Sequence, residues 1–360
     1  MKRRSFLKKI GLGSVAAGAT ASGIPSASAA NRFNWKLVTT WPPNFPIFMD
    51  GIKRFAKDVK RMSKNQLNIQ VFAGGELIPA LQTFDAVSQG TVEMGHGAAY
   101  YWAGKIPAGQ FFTAVPFGMN AQGMNAWLYS GGGLELWREL YAHHNLVPFP
   151  MGNTGVQMGG WFRKPIESLA SLKGLKMRIP GLGGKVIAKA GVNPVLLPGS
   201  EIYTALERGT IDATEWVGPF HDLRLGLYRA AKYYYYPGWH EPGPTLELTI
   251  NKGAWDDLPK HLQMIVENAA AASNSWMLSE FEAKNPDALF TLKDKYKVNV
   301  LPFPNDVIAA LRKLTLETLA EEADKDADFK RIYHAYQKFS NNNRAWNAIS
   351  ESAYAKALQP

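Results

Sequence analysis

The sequence predicts a two-lobed α/β fold in which each lobe is a mostly parallel sheet flanked by helices. The chain has 360 residues, which is more than one compact core usually holds, so two lobes are favoured over one. Strand-like and helix-like segments alternate over the first hundred residues, and a second series of short strand-like segments follows. The pattern then becomes mainly helical, which predicts a long helix spanning the lobes and a helical C-terminus.

Residues 31–155 are expected to form mainly the first lobe. The segment NWKLVTTW alternates like a strand, and residues 46–63 carry apolar side chains near helical spacing. The segments LNIQVF, PALQTFDAVSQG and TVEMGHG then predict a strand, a helix and a strand. This β-α-β-α-β order indicates a parallel sheet with helices packed on its faces. A further helix is predicted over 123–142.

Residues 156–253 are expected to form mainly the second lobe. Its strand-like segments are VQMGGWF, LKMRIP, NPVLLP, TIDATEW and TLELTIN, and helices fall between several of them. Within 254–360 the chain is helical apart from a strand near 298–303. The helical pattern from Trp255 to about Phe281 is longer than the average of about 12 residues, so we expect it to span both lobes.

Residues 1–30 predict a signal peptide. Five basic residues precede a weakly apolar stretch, and Ala27 and Ala29 suit an A-x-A cleavage site. The run from Arg3 to Lys8, RRSFLK, resembles the twin-arginine signal, which implies export of a folded protein across a bacterial inner membrane. A general secretory signal that contains two arginines is the alternative, and either route leads to the periplasm or beyond.

The remaining composition excludes several classes of function. Removal of residues 1–30 leaves 35 basic and 30 acidic residues, a mild and scattered charge that argues against nucleic-acid binding. There are no cysteines, so disulfides and thiol chemistry are excluded. No HExxH, GxSxG or phosphate-binding loop motif is present, and the seven histidines show no metal-ligand spacing. The segment GLGGKV has Val186 where a dinucleotide loop needs its third glycine.

Four polar residues stand out because they interrupt apolar segments. They are Gln157, Arg178, Glu215 and Glu241. One interpretation is structural: Arg178 and Glu215 pair with each other, as buried charges usually do. The other is a binding site, since arginine can hold a carboxylate bidentately and carboxylate and amide oxygens are ligands for Na⁺ or Ca²⁺.

The chain resembles the solute-binding proteins of tripartite ATP-independent periplasmic (TRAP) transporters. The resemblance runs through KLVTTWPPN, GGELIPALQTFDAVSQGTVEMGHG, VPFG, SLKGLKMRIPG and GTIDATEW. It implies a two-lobed periplasmic binding protein fold with a ligand cleft between the lobes. It also implies that Arg178, the arginine of LKMRIPG, grips the carboxylate of the bound solute.

The segments EWVGPFHDL and KYYYYPGWHEPG resemble the subgroup that binds 2-oxo or 2-hydroxy monocarboxylates together with a metal ion. This resemblance implies a metal site and an aromatic cleft wall. The implied metal ligands are Gln157, Glu215, the backbone carbonyl of Trp216, and Glu241, and the implied cleft aromatics are Tyr100, Tyr101 and Trp102. The solute would contact Arg178, Tyr100, Tyr101 and the ion with its ligands Gln157, Trp216 and Glu241.

The resemblance implies capture of a small 2-oxo acid such as pyruvate and its delivery to the membrane permease subunits, with no catalytic step. It implies Na⁺ with oxo acids and Ca²⁺ with lactate, and the sequence leaves the ion open. Three alternatives also stay open: binding of a 2-hydroxy acid such as lactate with calcium, an exported metal-dependent enzyme acting on the same acids, and a ligand sensor for a membrane receptor. The long helix can serve either within the monomer or in a homodimer.

Overall fold

A computed structural model describes residues 32–358, so the predicted signal peptide lies outside the described residues. The strands are β1 (Phe33–Thr39), β2 (Leu67–Phe72), β3 (Met94–Gly97), β4 (Leu146–Asn153), β5 (Gly160–Phe162), β6 (Lys176–Arg178), β7 (Asn193–Val195), β8 (Ala213–Thr214), β9 (Tyr233–Tyr236), β10 (Thr245–Asn251) and β11 (Asn299–Pro302).

The helices are α1 (Phe48–Met62), α2 (Thr83–Ser88), α3 (Ala121–Ser130), α4 (Gly133–Ala142), α5 (Gly181–Lys189), α6 (Gly199–Glu207), α7 (Pro219–Leu225), α8 (Leu227–Ala230), α9 (Lys252–Asp256), α10 (Lys260–Phe290), α11 (Asn305–Lys325), α12 (Ala327–Ile349) and α13 (Glu351–Ala357). Short 3-10 segments cover Ala80–Gln82, Ala99–Trp102, Pro107–Phe112 and Leu169–Leu172, and a π-helical turn, Thr291–Lys295, follows α10. Among the described residues, no helix combines the length and the hydropathy needed to cross a membrane.

The strands form two sheets, which confirms the two-lobed α/β class. The first sheet has the order β2-β1-β3-β10-β4, and the second has the order β11-β9-β5-β8-β6-β7. Both sheets are mixed, whereas mostly parallel sheets were expected. In the first, β10 runs antiparallel to both of its neighbours, and in the second, β5 runs antiparallel to β8 and β9.

The strand at 245–251 is corrected by this topology. Its sequence position predicts a place in the second lobe, but β10 lies inside the first sheet, between β3 and β4. All seven of its residues are buried, as expected for a strand covered on both faces. An apolar run indicates that a strand is buried, but it does not indicate which strands lie beside it. Consecutive strands are often neighbours in a sheet, and β10 is an exception to that tendency.

Two further elements differ from the sequence prediction. The helix predicted over 123–142 is two helices, α3 and α4, because Gly131 and Gly132 interrupt it. Gly132 has a φ of 84°, a left-handed backbone conformation that glycine adopts more readily than other residues. The tyrosine run at 233–236, which is absent from the predicted strands, forms β9 between β11 and β5 in the second sheet. Aromatic residues favour strands, so composition offered that signal.

The long helix predicted after Trp255 is present as α10, which has 31 residues. It packs against β4 and α1 on the first-lobe side and against α7, which follows β8, on the second-lobe side. The expected strand near 298–303 is β11, which pairs with β9. The chain therefore passes between the two sheets several times, and the second sheet closes with a strand from the C-terminal part.

Candidate ligand and metal site

The first two site residues lie at the ends of neighbouring parallel strands of the second sheet. Arg178 is the last residue of β6, and Glu215 follows β8 directly. Arg178 stands opposite Thr214, and the Glu215 amide donates a hydrogen bond of 3.3 Å to the Arg178 carbonyl oxygen. Ligands of open α/β sheets bind outside the carboxyl ends of such strands. The fold therefore places a guanidinium beside a carboxylate where a ligand is expected.

Gln157 and Glu241 join this pair from two loops of the same lobe. Gln157 lies just before β5, and Glu241 follows the turn after β9. Their backbones meet, because the Gln157 amide donates to the Glu241 carbonyl oxygen at 3.1 Å. All four polar residues are buried, with exposed fractions of 4% for Gln157, 1% for Arg178, 1% for Glu215 and 3% for Glu241. The structure thus gathers them in one water-excluded cluster.

Most of the Arg178 guanidinium is already engaged. Its Nε donates to the carbonyl oxygen of Leu197 at 3.2 Å, and its Nη1 forms an ion pair with Oε1 of Glu215. Its Nη2 faces the hydroxyl of Tyr101 at 3.4 Å, which is a long and weak contact. The pairing of Arg178 with Glu215, which the sequence left open, is therefore present. The Nη2 side of the guanidinium faces the first lobe and keeps donor capacity for a ligand.

Two carboxylates in this cluster face one guanidinium. Burial, and next the charge of Glu215, raise the pKa of Glu241 well above its ordinary value, and Arg178 opposes the shift only in part. Burial alone would lower the pKa of Arg178, but Glu215 and the hydroxyls of Tyr100 and Tyr101 raise it above its ordinary value. A second buried negative charge without a counter-charge costs free energy. A cation placed between the carboxylates would relieve that cost.

The first lobe contributes two tyrosines to the site. The Tyr100 hydroxyl lies 3.4 Å from Oε2 of Glu241, and the Tyr101 hydroxyl faces Arg178. Trp102, which the resemblance placed in the same aromatic wall, is turned away, because its Nε1 donates to the carboxylate of Glu247 inside the first lobe. In this helical turn successive side chains point in different directions, which sequence adjacency does not reveal.

Trp216 packs between the two lobes. Its ring meets the rings of Trp41 and Phe45 edge-on, at centroid distances of 6.2 and 5.9 Å. The Arg178 guanidinium lies 5.4 Å from its ring centroid on the other side. Trp216 therefore fixes the position of the adjoining Glu215. The expected role of its backbone carbonyl as an ion ligand stays a prediction.

Several buried polar atoms of the cluster are free to bind a cation. Within residues 32–358, Oε1 of Gln157, Oε2 of Glu215 and both ring nitrogens of His240 have no hydrogen-bond partner. One ligand atom from each of Glu215, His240 and Glu241 lies within 4.8 Å of the others, close enough to share one ion. The residues present therefore fit the metal site that the resemblance implies.

His240 is the residue that sequence reasoning missed. No two histidines of the sequence stand at metal-ligand spacing. In the structure His240 lies near two carboxylates, that of Glu241, which is adjacent in sequence, and that of Glu215, which is distant in sequence. Its position beside a predicted ligand, in GWHEPG, was the available signal.

Comparison with known proteins agrees with this fold. Residues 37–326 match the family described as bacterial extracellular solute-binding protein, family 7 (DctP). The chain is 45% identical over 358 residues, 98% of each protein, to the monocarboxylate 2-oxoacid-binding periplasmic protein of Nostoc sp. strain PCC 7120.

Two crystal structures of TRAP solute-binding proteins are similar to this chain. One, from Pseudoalteromonas atlantica T6c, has bound sodium and pyruvate; it is 45% identical with a TM-score of 0.89, and the match covers 91% of this chain and 100% of the other. The second, from Bordetella bronchiseptica RB50, is a mixed-occupancy dimer with copurified calcium and picolinate; it is 41% identical with a TM-score of 0.89 and coverages of 91% and 97%. The chain belongs to the DctP family of bacterial extracellular solute-binding proteins, which are the solute-binding proteins of TRAP transporters.

Proposed function

We propose that this chain is the periplasmic component of a TRAP transporter that captures a small 2-oxo monocarboxylate such as pyruvate and delivers it to the membrane permease subunits. The observation that carries the proposal is the buried cluster of Gln157, Arg178, Glu215 and Glu241. It has two unpaired oxygen atoms in the described part of the chain, Oε1 of Gln157 and Oε2 of Glu215, and it faces two tyrosines of the opposite lobe. Such a cluster is costly unless a ligand and an ion complete it. The Nostoc relative, which binds monocarboxylate 2-oxoacids, supports the ligand class.

Selection of 2-oxo acids would rest on chelation. Pyruvate offers a carboxylate oxygen and a keto oxygen that close a five-membered ring on one ion, whereas a plain fatty acid offers only its carboxylate. Picolinate, which is bound with calcium in the Bordetella neighbour, offers a carboxylate oxygen and a ring nitrogen with the same ring size. In this chain Gln157, Glu215 and Glu241 would hold the ion, and Nη2 of Arg178 would meet the solute carboxylate.

The ion is proposed to be Na⁺ or Ca²⁺. Glu215, Glu241 and the solute carboxylate together carry three negative charges, and Arg178 carries one positive charge. Sodium then leaves one net negative charge, and calcium leaves the site neutral, so charge balance favours calcium. The Pseudoalteromonas neighbour contains sodium with pyruvate, which supports the monovalent ion.

Calorimetry tests the proposal directly. The purified chain is titrated with pyruvate in sodium buffer, in calcium buffer, and after exhaustive chelation in sodium-free buffer. We expect binding with either ion present and at least about a tenfold weaker affinity without ions, because two carboxylates would then face the solute. Propionate is the control for chelation and is expected to bind weakly in every buffer. Equal affinity for pyruvate in all three buffers would remove the ion from the proposal.

A 2-hydroxy acid such as lactate is the second candidate ligand. The buried carboxylate of Glu241 is an acceptor that a 2-hydroxyl group can donate to and a keto oxygen cannot. Competition between lactate and pyruvate in calcium and in sodium buffer decides between the two acids. We further propose that no reaction follows binding, so that nuclear magnetic resonance recovers pyruvate unchanged after prolonged incubation with the chain.

The proposed location of the chain is the periplasm, and its proposed assembly is a homodimer. We place the mature chain in the periplasm, which cell fractionation tests. A homodimer is proposed because the Bordetella neighbour is a dimer and because α12 and α13 carry exposed apolar side chains. These side chains are Trp346, Ile349 and Tyr354, with exposed fractions of 61%, 75% and 65%. Light scattering behind a size-exclusion column measures the mass, and a monomer at micromolar concentration would remove the dimer.

A further inference from the structure

Outside the polar cluster of the ligand site, a turn of the first lobe is hydrogen-bonded to a helix of the second. Pro46 lies between β1 and α1, whereas His221 lies in α7, which follows β8 of the second sheet. The Nε2 atom of His221 lies 2.9 Å from the Pro46 carbonyl oxygen. Because a carbonyl oxygen can only accept, Nε2 carries the proton and donates it. This hydrogen bond therefore joins the two lobes directly.

The imidazole of His221 is buried among aromatic rings. Its ring centroid lies 4.5 Å from those of Phe45 and Phe48 in the first lobe, and 4.6 Å from that of Phe281 in α10. The residue is fully buried, and burial lowers its pKa to about 3, so the ring is neutral. Ring contacts tolerate small shifts, whereas a hydrogen bond is directional. The bond to Pro46 therefore fixes how the two lobes meet at this point.

The turn that accepts this hydrogen bond is strained. Ile47 has a φ of 61° and a ψ of −58°, and the Phe48 amide donates to the Pro46 carbonyl oxygen at 2.7 Å. These values describe the rare form of the γ-turn, which is unfavourable for a β-branched residue. Such strain persists only where the surroundings enforce it, and it is concentrated at ligand clamps and switches. The contact with His221 is part of those surroundings.

We infer that His221 and the turn at Pro46 and Ile47 form a latch that holds the lobes closed, and that His221 is a positioning residue for retention of the bound solute. The inference rests on the proposed function and adds a determinant of solute release. When the lobes separate, His221 leaves the Pro46 carbonyl and the turn can relax, so relief of strain favours opening. The loop of Glu215 and Trp216 directly precedes α7, so the latch also holds this side of the ligand site against the first lobe.

The test measures dissociation of pyruvate from the full chain in calcium buffer by stopped-flow tryptophan fluorescence. His221→Phe keeps an aromatic ring and removes the donor, and the Pro46 carbonyl keeps its bond to the Phe48 amide. We expect dissociation about threefold to tenfold faster, with little change in resistance to urea. His221→Gln is the conservative variant, because its amide nitrogen can replace Nε2. It should restore slow dissociation although it loses the ring packing.

Tyr235→Phe is the matched control inside one lobe. The Tyr235 hydroxyl accepts a hydrogen bond of 2.8 Å from the Ile166 amide within the second lobe. Its removal leaves a buried amide unpaired, so we expect lower resistance to urea and an unchanged dissociation rate. Two results would overturn the inference: an unchanged rate in His221→Phe, or rates in the three variants that simply follow their stabilities.

A second measurement needs no solute. The sequence has no cysteine, so cysteines introduced at the exposed residues Lys105 and Arg208 place one spin label in each lobe. We expect His221→Phe to shift the label separation in the ligand-free chain toward larger values by electron paramagnetic resonance. An unchanged separation would overturn the latch. Failure of the unaltered chain to bind pyruvate would instead remove the proposed function.

If His221→Phe does not fold, proton exchange at the histidine rings of the unaltered chain decides. His96 is the internal reference, because its Nε2 lies 2.9 Å from the Met151 carbonyl oxygen within the first lobe. In the ligand-free chain we expect the ring proton of His221 to exchange at least about tenfold faster than that of His96, since the latch opens with the lobes. Nuclear magnetic resonance measures both rates, and equal rates would overturn the inference.

Discussion

Arg178 combines two tasks in one side chain. Nη1 neutralises Glu215 inside the second lobe, and Nη2 faces the first lobe and the Tyr101 hydroxyl. A guanidinium can do this because its donors form a rigid fork pointing in different directions, which an ammonium group does not offer. The internal ion pair therefore orients the part of the side chain that we expect to meet the solute.

Replacement of Arg178 by methionine is expected to nearly abolish pyruvate binding. The change strands the buried carboxylate of Glu215 and removes the donors for the solute, and loss of one partner of a buried charge pair typically costs about 2–5 kcal/mol. Calorimetry measures the affinity. Arg208→Met removes an exposed arginine and is expected to leave binding unchanged. Normal binding by Arg178→Met would contradict the role that the family resemblance implies.

Replacement of Glu241 by glutamine is expected to separate stability from function. The raised pKa of Glu241, due first to burial and then to Glu215, shows that its charge is unfavourable in the ligand-free chain. Glu241→Gln should therefore raise the free energy of unfolding in chelator by about 1 kcal/mol, while weakening ion and pyruvate binding by at least about tenfold. Urea unfolding and calorimetry measure the two effects.

The matched control is Glu201→Gln, which changes an exposed carboxylate at the start of α6. We expect it to alter neither quantity beyond about 0.5 kcal/mol. A fall in stability for Glu241→Gln, with binding intact, would show that the carboxylate has a structural role and does not hold an ion.

At the scale of the elements, α5 and the first-lobe turn at Tyr100 approach each other closely at Gly181. Gly181, the first residue of α5, has a φ of 61°, and a Cβ there would lie 2.8 Å from the Cβ of Tyr100. Separations below 3.0 Å force one side to move. Glycine is therefore required both by its backbone conformation and by the approach of the two lobes.

Replacement of Gly181 by alanine is expected to hold the lobes apart. Gly174→Ala is the matched control, because Gly174 has a φ of 79° and a Cβ there would meet nothing within 4 Å. Both variants should lose about 1–2 kcal/mol of unfolding free energy through backbone strain. Only Gly181→Ala should lose pyruvate affinity and show a larger radius of gyration by X-ray scattering with ligand present. Equal affinities in the two variants would contradict the role of this contact in closure.

Sequence patterns predict some of the secondary-structure elements but not the pairing of all the strands. The strands β1 and β2 and the helices α1 and α10 follow from periodicity, because each buries one face or both. The strands that pair with β10 do not follow from periodicity. The antiparallel position of β10 between β3 and β4 depends on contacts between residues distant in sequence. At the site, isolated polar residues in apolar segments identified Gln157 and Arg178. The position of His240 near Glu215 depends on a loop between residues distant in sequence, which no spacing rule describes.

On the scale of the whole molecule, each lobe contains a buried carboxylate outside the ligand site. Asp222 accepts hydrogen bonds from Trp161 and Tyr234 in the second lobe, and Glu247 accepts them from Trp102 and Tyr141 in the first. Burial raises both pKa values, from 3.8 to about 7 for Asp222 and from 4.5 to about 7 for Glu247. Both lobes therefore favour the protonated forms of these groups.

The stability that Asp222 and Glu247 contribute is expected to fall as the pH rises from 5 to 8, whereas His96 and His221, whose pKa values burial lowers to about 4 and about 3, act in the opposite direction up to about pH 6.5. At the two carboxyl groups the folded state binds more protons than the unfolded state between their unfolded and folded pKa values, so their contribution is present below about pH 4 and is lost as the pH passes about 7. For Glu247 it amounts to roughly 3 kcal/mol. Urea unfolding at several pH values measures the slope of unfolding free energy against pH, and Glu247→Gln should make that slope more positive because the share of Glu247 is removed. An unchanged slope in that variant would contradict the assignment.

The place of β10 in the first sheet also governs the order in which the chain can assemble. A ribosome has to release residue 251 before the gap between β3 and β4 can be filled, and until then both strands present open edges. Pairing across so long a stretch of sequence is slow, so we expect the growing chain to expose these edges for longer than a protein built lobe by lobe. Export of an already folded protein, as the RRSFLK segment predicts, suits such a chain, and a fragment that stops near residue 155 is expected to aggregate because the edges of β3 and β4 stay unpaired.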